Sequence, residues 1–268
     1  MTIGGGKSGR NLALILLLLA GVLSVGLEAS GAMAVPQPFD NVQSRLIADG
    51  FDAERVRELY RQPEVAFETR GVALFFRHSE ARLNYGQFLE ERRIEMARQY
   101  VIDHSGALAA AEAQYDVPRE IITAIMLVET QLGTLVGNQI VFNILSTMAA
   151  LDDATVRKAF WGDLPTERRL KREAFEKKAD RKSLWAYNEL KALLRFVEAE
   201  KMDPVAIQGS YAGAMGYCQF MPSNALRLGV DGNGDDRVDL FDHTDAIASI
   251  ASYLKHYGWH PEIDREAA

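Results

Sequence analysis

A single cysteine, Cys218, stands in a chain of 268 residues, so no internal disulfide can form. Positive charge is in short supply: 30 Lys and Arg face 37 Asp and Glu, a formal charge of -7 that argues against a nucleic-acid backbone as the main partner. The one dense basic stretch, Arg168, Arg169, Lys171, Arg172, Lys177, Lys178, Arg181 and Lys182, is interleaved with acids and reads as a solvated helix face. Alternating strand patterns are scarce, and no internal repeat, low-complexity linker or second module is visible. What is present is ordinary globular composition, 48% hydrophobic and 25% charged, long enough to bury one core.

The N-terminus carries a different pattern. Lys7 and Arg10 precede an uncharged, leucine-rich run over residues 11–27, followed by small residues and Ala32-Met33-Ala34. Positive, apolar and A-x-A segments in that order are the anatomy of an export signal, with cleavage expected after Ala34. An uncleaved anchor is the alternative, because roughly 17 apolar residues just span a bilayer. Residues 1–34 are thus expected to be a signal peptide and 35–268 one domain, placed in the periplasm. No cysteine follows the signal to take a lipid, and export without disulfides fits a bacterial envelope protein.

Apolar residues recur at three- and four-residue spacing over 40–60, 84–115, 118–132, 166–201 and 244–257, which predicts helices there and a mainly α fold. Gly/Pro/Asp clusters at 133–137, 209–216 and 231–236 mark the loops.

Three segments carry chemistry. In the first, Pro118 suits a first helical turn, with Asp116 a plausible cap before it. Ile122, Ile125, Met126, Glu129 and Leu132 then fall on one stripe, which places a carboxylate on an apolar face near a helix C-terminus. Burial and the negative end of the helix dipole both keep a carboxyl protonated, as a general acid requires. On spacing alone, a surface-edge glutamate at the end of a core helix is the commoner reading. The second segment, residues 209–223, mixes small residues with hydrogen-bonding Ser210 and Gln219 and the flat rings of Tyr211, Tyr217 and Phe220, a combination suited to sugars or to a tight packing turn. The third runs from Asp231 to Asp242, with oxygen side chains at alternate positions (Asp231, Asn233, Asp235, then Asp239) and Arg237 placed to offer its carbonyl. That is the pattern of a single EF-hand-like calcium loop, although Asp236 replaces the usual glycine and Asp242 the usual glutamate. Asp242 is short for its task, which leaves Asp245 as the candidate closing ligand; an acidic turn without metal is the alternative.

Val128-Glu129-Thr130, the 209–223 segment and the acidic loop before Asp245-Ala246-Ile247, in this order, resemble the lytic murein transglycosylase B family. The likeness is strong over 113–144 and 203–259 and does not extend clearly through 150–182. It implies a lysozyme-like helical domain that cleaves the β-1,4 bond between N-acetylmuramic acid and N-acetylglucosamine of peptidoglycan strands, leaving 1,6-anhydromuramoyl ends. By match to the motifs, Glu129 is catalytic, while Ser210, Gln219, Tyr253 and Tyr85 line the sugar groove. Asp231, Asn233, Asp235, Arg237 and Asp245 match ligands of a structural Ca2+. No cofactor is implied for catalysis, and a monomer is expected.

Two departures bear on this. Cys218 stands where the family usually has glycine, and its thiol either crowds the groove or faces the core. Family members also commonly continue well past the position of Trp259, which leaves three readings open: a more open cleft, lower activity, or a truncated sequence. A hydrolytic muramidase on the same fold, a catalytically weakened peptidoglycan-binding protein and a calcium-responsive helical protein stay open as alternatives from the residues alone.

Overall fold

The computed structural model describes residues 37–77, 85–164 and 171–260, without the side chains of Arg77, Tyr85 and Gln87. The proposed signal peptide lies outside these residues, as does the side chain of Tyr85. No described helix is long and apolar enough to cross a membrane.

Helices dominate, as the periodicity predicts, but several expected helices divide. The 40–60 pattern splits into α1 (Asp40–Ala48) and α2 (Ala53–Leu59). Gly50 turns the chain between them at φ 93°, and Asp52 caps α2 by accepting the Arg55 N–H at 2.8 Å. The 84–115 pattern becomes a 3-10 turn (Tyr85–Leu89), α4 (Glu91–Asp103) and α5 (Ser105–Tyr115), with the break at His104. Next comes α6 (Arg119–Thr130), and the last of the predicted helices appear as α9 (Arg172–Ala199) and α11 (His243–His256). Asp242 caps α11 by accepting the Thr244 and Asp245 N–H groups.

Four further helices lie outside the ranges expected from the sequence: α3 (Thr69–Arg77), α7 (Val141–Ala150), α8 (Ala154–Asp163) and α10 (Pro222–Leu228). The reason is plainest for α7. All ten of its residues are buried, and its polar stripe, Asn143, Ser146 and Thr147, bonds to the segment before α3 instead of to water, so in the sequence it is only a short apolar run of ambiguous type. It forms the centre of the core and packs along α9. That 28-residue helix runs about 42 Å and turns Phe175, Ala179, Ala186, Leu190, Leu193 and Val197 inward at helical spacing. Rings of Phe76, Phe160 and Phe175 close the core at one end, with Phe160 and Phe175 stacked at 5.9 Å.

The β structure among the described residues is small and local. β1 (Gln139–Ile140) pairs antiparallel with β2 (Gln208–Gly209), Gln139 opposite Gly209. Its consequence is positional: it fixes the glycine-rich segment after β2 against the loop that follows α6.

α10 packs on α9, tied by a buried carboxylate: Glu189 accepts the Ser223 N–H at 2.9 Å and the Ser223 hydroxyl at 2.8 Å. α11 packs on α5 and also touches α6 and α10.

Candidate functional site

Glu129 is the penultimate residue of α6, at the negative end of that helix's dipole. The stripe expected around it is partly found: Ile122, Met126 and Leu132 are buried and Ile125 is half-buried. Glu129 itself is exposed. The expectation that the protein's own apolar residues desolvate this carboxylate is therefore corrected, because the chain reverses direction just after it and leaves it at the rim. Asp116 is likewise not the cap of α6. It ends α5 in a left-handed conformation, φ 56°, and its carboxylate pairs with Lys255 at 2.9 Å.

The reversal after Glu129 uses three left-handed residues in a row: Gln131 (φ 48°), Leu132 (φ 61°) and Gly133 (φ 88°). The chain then reaches β1 and the strap formed by residues 209–220. Two isolated bridges, Gly209 with Met215 and Met215 with Phe220, fold the strap into a tight double turn. Gly137 and Gly209 let the two segments touch: a Cβ on Gly137 would lie 2.2 Å from the Gly209 carbonyl oxygen.

Ser210 and Gln219 sit half-buried on this strap. The Ser210 Oγ accepts the Ala212 and Ala214 N–H groups at 3.3 and 3.2 Å, which leaves its own hydroxyl hydrogen as a donor. Gln219, in a left-handed conformation, donates from Nε2 to the Val136 and Gly216 carbonyls at 3.2 and 3.0 Å. Its amide nitrogen thus ties the strap to the loop after α6, and its Oε1 is what it offers a ligand.

A second tie is formed by Thr130, a residue to which the sequence assigned no role. Its Oγ1 donates to the Tyr217 carbonyl at 2.8 Å and accepts the Gly133 N–H at 2.9 Å. Only its place beside Glu129 marked it in the sequence. Tyr253, on α11, is half-buried, with its ring 5.2 Å from Phe220 and 4.6 Å from the exposed Tyr257. The structure thus brings Glu129, Gln219 and Ser210 onto adjoining segments and joins Tyr253 to them through Phe220.

Cys218 faces the core and does not crowd the strap's outer surface; it is 4% exposed. Burial pushes its thiol up to about 12, and the negative charge of nearby Glu129 acts in the same direction. Beneath the strap, His243 stacks on Tyr217 at 4.4 Å and lies 4.4 Å from His104, while the Tyr100 hydroxyl meets its Nδ1 at 3.0 Å. Two clefts of about 540 and 650 Å3 open around α1 and α2, and neither is lined by Glu129, Ser210, Gln219 or Tyr253.

The acidic loop is organised by its own backbone. Asp231 accepts the Gly234, Asp235 and Asp236 N–H groups, Asn233 accepts that of Asp235, and Asp235 that of Arg237. Asp236, where a calcium loop usually has glycine, adopts φ 64°. Asp245 is buried and closes the loop from α11, accepting the Gly232, Asn233 and Asp239 N–H groups at 2.9, 3.3 and 2.8 Å. Burial raises its carboxyl above the ordinary value, against the pull of those N–H groups. Arg237 reaches out of the loop to the Glu200 carbonyl at 3.0 Å. Among the described residues, no three His, Cys, Asp or Glu side chains are gathered as a ready metal cluster.

Comparison with known proteins places this geometry. The profile of the transglycosylase SLT domain matches residues 34–267. The membrane-bound lytic murein transglycosylase B of Escherichia coli strain K12 is 36% identical over 156 residues, which cover 58% of this chain and 36% of that protein. The chain therefore aligns with little more than a third of that relative's length. The crystal structure of soluble lytic transglycosylase SltB1 from Pseudomonas aeruginosa superposes with a TM-score of 0.68 at 31% identity, covering 85% of this chain and 69% of that one. The Escherichia coli lytic transglycosylase Slt35 in complex with calcium gives a TM-score of 0.64 at 26% identity, with coverages of 87% and 67%. The mainly helical, lysozyme-like fold expected from the resemblance is the fold shared with these neighbours.

Proposed function

The chain belongs to the transglycosylase SLT domain family, and from that premise we propose that it is a lytic murein transglycosylase with Glu129 as its single acid and base. The substrate is the peptidoglycan glycan strand, cut between N-acetylmuramic acid and N-acetylglucosamine. The observation that carries this reading is the setting of Glu129: a carboxylate presented at a helix end, with the strap of Ser210 and Gln219 tied directly to the turn behind it.

A glycan lying along the strap would take Glu129 out of water, the condition under which a carboxyl holds its proton. The carboxyl gives that proton to the glycosidic oxygen as the bond to the muramic C1 breaks. The substrate's own N-acetyl oxygen stabilises the positive charge that develops at C1, so no second protein carboxylate is needed for that task. The Glu129 carboxylate then takes the proton of the muramic C6 hydroxyl, whose oxygen attacks C1 and closes the 1,6-anhydro ring. The attack is intramolecular and gains the proximity advantage of a tethered nucleophile. Ser210, through its free hydroxyl hydrogen, and Gln219, through Oε1, hold the sugar's polar groups, while Tyr253 and Tyr85 complete the groove.

The acidic loop suits a structural Ca2+. Its donors are all oxygens: Asp231, Asn233 and Asp235 side chains, the Arg237 carbonyl and the buried carboxylate of Asp245, whose charge an ion would offset. The ion would fix the loop that leads into α11 and so the position of Tyr253. In line with this role, Slt35 of similar fold is known in complex with calcium. Residues 1–34 serve as a cleaved export signal that delivers 35–268 to the periplasm.

Mass spectrometry of the fragments released from purified sacculi tests the proposal. Wild-type protein is expected to yield anhydro-ended muropeptides, and the Glu129→Gln protein to yield essentially none. Fragments with reducing muramic ends would make the enzyme a hydrolase, and anhydro products from Glu129→Gln would remove Glu129 from its role.

A further inference from the structure

We infer that Thr130 is a positioning residue for the carboxylate beside it, holding Glu129 at a set place relative to the strap. The inference rests on the transglycosylase reading above and adds a residue to it.

Three consecutive left-handed residues are an unusual way to leave a helix, and two of them, Gln131 and Leu132, have side chains that disfavour it. Such a turn persists only where its surroundings determine it. Gln131 and Leu132 find backbone acceptors in Leu127 and Met126, at 3.1 and 2.9 Å. The rest comes from Thr130. Its carbonyl accepts the Leu135 N–H at 2.8 Å and its hydroxyl oxygen accepts the Gly133 N–H at 2.9 Å.

The hydroxyl has one hydrogen to give. The Tyr217 carbonyl takes it at 2.8 Å, while the Met126 carbonyl lies at 3.4 Å. One atom therefore holds the turn on one side and the strap on the other. Thr130 is 1% exposed, and its β-branched side chain is restricted at χ1, so the tie is stiff. Glu129 precedes it by one peptide, and Cys218 and Gln219 follow Tyr217 directly. The hydroxyl thus fixes the spacing between the acid and the residues that would hold the sugar. Serine can make the same two bonds. Valine keeps the shape and leaves both the Gly133 N–H and the Tyr217 carbonyl without this partner.

The test compares wild type, Thr130→Val and Thr130→Ser on a soluble tetrasaccharide of alternating N-acetylglucosamine and N-acetylmuramic acid. Anhydro product is followed by mass spectrometry well below each protein's melting temperature, with rates normalised to folded protein by circular dichroism. For Thr130→Val we expect kcat to fall about 10- to 100-fold, the loss typical of a small displacement of a reacting group, with KM within about twofold. Thr130→Ser should stay within about threefold of wild-type kcat. Wild-type kcat in Thr130→Val overturns the inference, as does an equal loss in both variants. A loss in Thr130→Val confined to KM does the same. A wild-type chain that forms no anhydro product overturns the transglycosylase reading and this inference with it.

Discussion

Gly137→Ala should be far more damaging than an ordinary glycine substitution, and the contact it would violate is also the one that seats the strap. A Cβ at Gly137 would stand 2.2 Å from the Gly209 carbonyl oxygen, 2.5 Å from its carbon and 2.9 Å from the Ser210 nitrogen. All three are backbone atoms, so no side chain can swing aside. Nor can Gly209 retreat, because its own open side is filled: a Cβ there would meet the Ala214 carbonyl oxygen at 2.1 Å. Relief requires the segments to part by about 1 Å, an ordinary contact being near 3.5 Å between carbons.

Parting them loosens the pairing of Gln139 with Gly209 and the Ser210 turn, roughly two hydrogen bonds at about 1 kcal/mol each. The backbone adds about 1–2 kcal/mol for an alanine at positive φ, offset by about 0.4–1 kcal/mol for the lost freedom of the unfolded chain. The total is roughly 3 kcal/mol. Gly50→Ala supplies the control, since it shares the backbone conformation (φ 93°) and a Cβ there meets nothing within 4 Å. Its cost should be the backbone component alone, about 1 kcal/mol.

Urea denaturation followed by circular dichroism gives both numbers, and the difference between the two proteins isolates the contact. Gly137→Ala should also lose anhydro-product formation at temperatures where it stays folded, while Gly50→Ala keeps it. Equal destabilisation of the two proteins would refute the close approach of β1 and the strap.

Two other expectations are simpler. With calcium at about 100 times its Kd, binding to the folded state alone should add about 2.7 kcal/mol. EGTA should therefore lower the melting temperature of the wild type by several degrees and leave Asp245→Asn unchanged; coincident wild-type melts with calcium and EGTA would exclude the ion. Cys218, buried with its thiol raised to about 12, should resist Ellman's reagent in the native protein at pH 8 and react once in urea. Because its folded value lies above the unfolded one near 9, the stability it contributes is full below pH 9 and fades as pH rises toward 12. Stoichiometric labelling of native protein would mean that the strap opens freely.

How much of this was legible in the sequence depends on what each feature offers to a one-dimensional reading. Amphipathic helices such as α9 announce themselves because one face meets water. α7 lacks a water-facing side, being buried all round at the centre of the core, and its ten residues read only as a short apolar run that a strand would match as well. Glu129 shows the same limit at the site. Its register beside Ile122 and Met126 was readable, and register suggested burial. Three left-handed residues after Thr130 decided otherwise, turning the chain away and leaving the carboxylate at the rim. No propensity announces that turn, since glutamine and leucine are not left-handed formers. It is determined by bonds that form only once the strap, some 80 residues downstream, has folded against it.

Asp245 reverses the comparison. Its distance past the acidic run made it the candidate to close the loop where Asp242 was too short. The structure gives Asp242 to the α11 cap and turns Asp245 into the loop. Reach and spacing brought Asp245 to the loop, where it accepts the backbone N–H groups of Gly232, Asn233 and Asp239. At Glu129 the missing quantity was the path of the backbone, and the residue that sets it is Thr130. The same bonds that made exposure of the carboxylate unreadable therefore give it a defined place beside the strap.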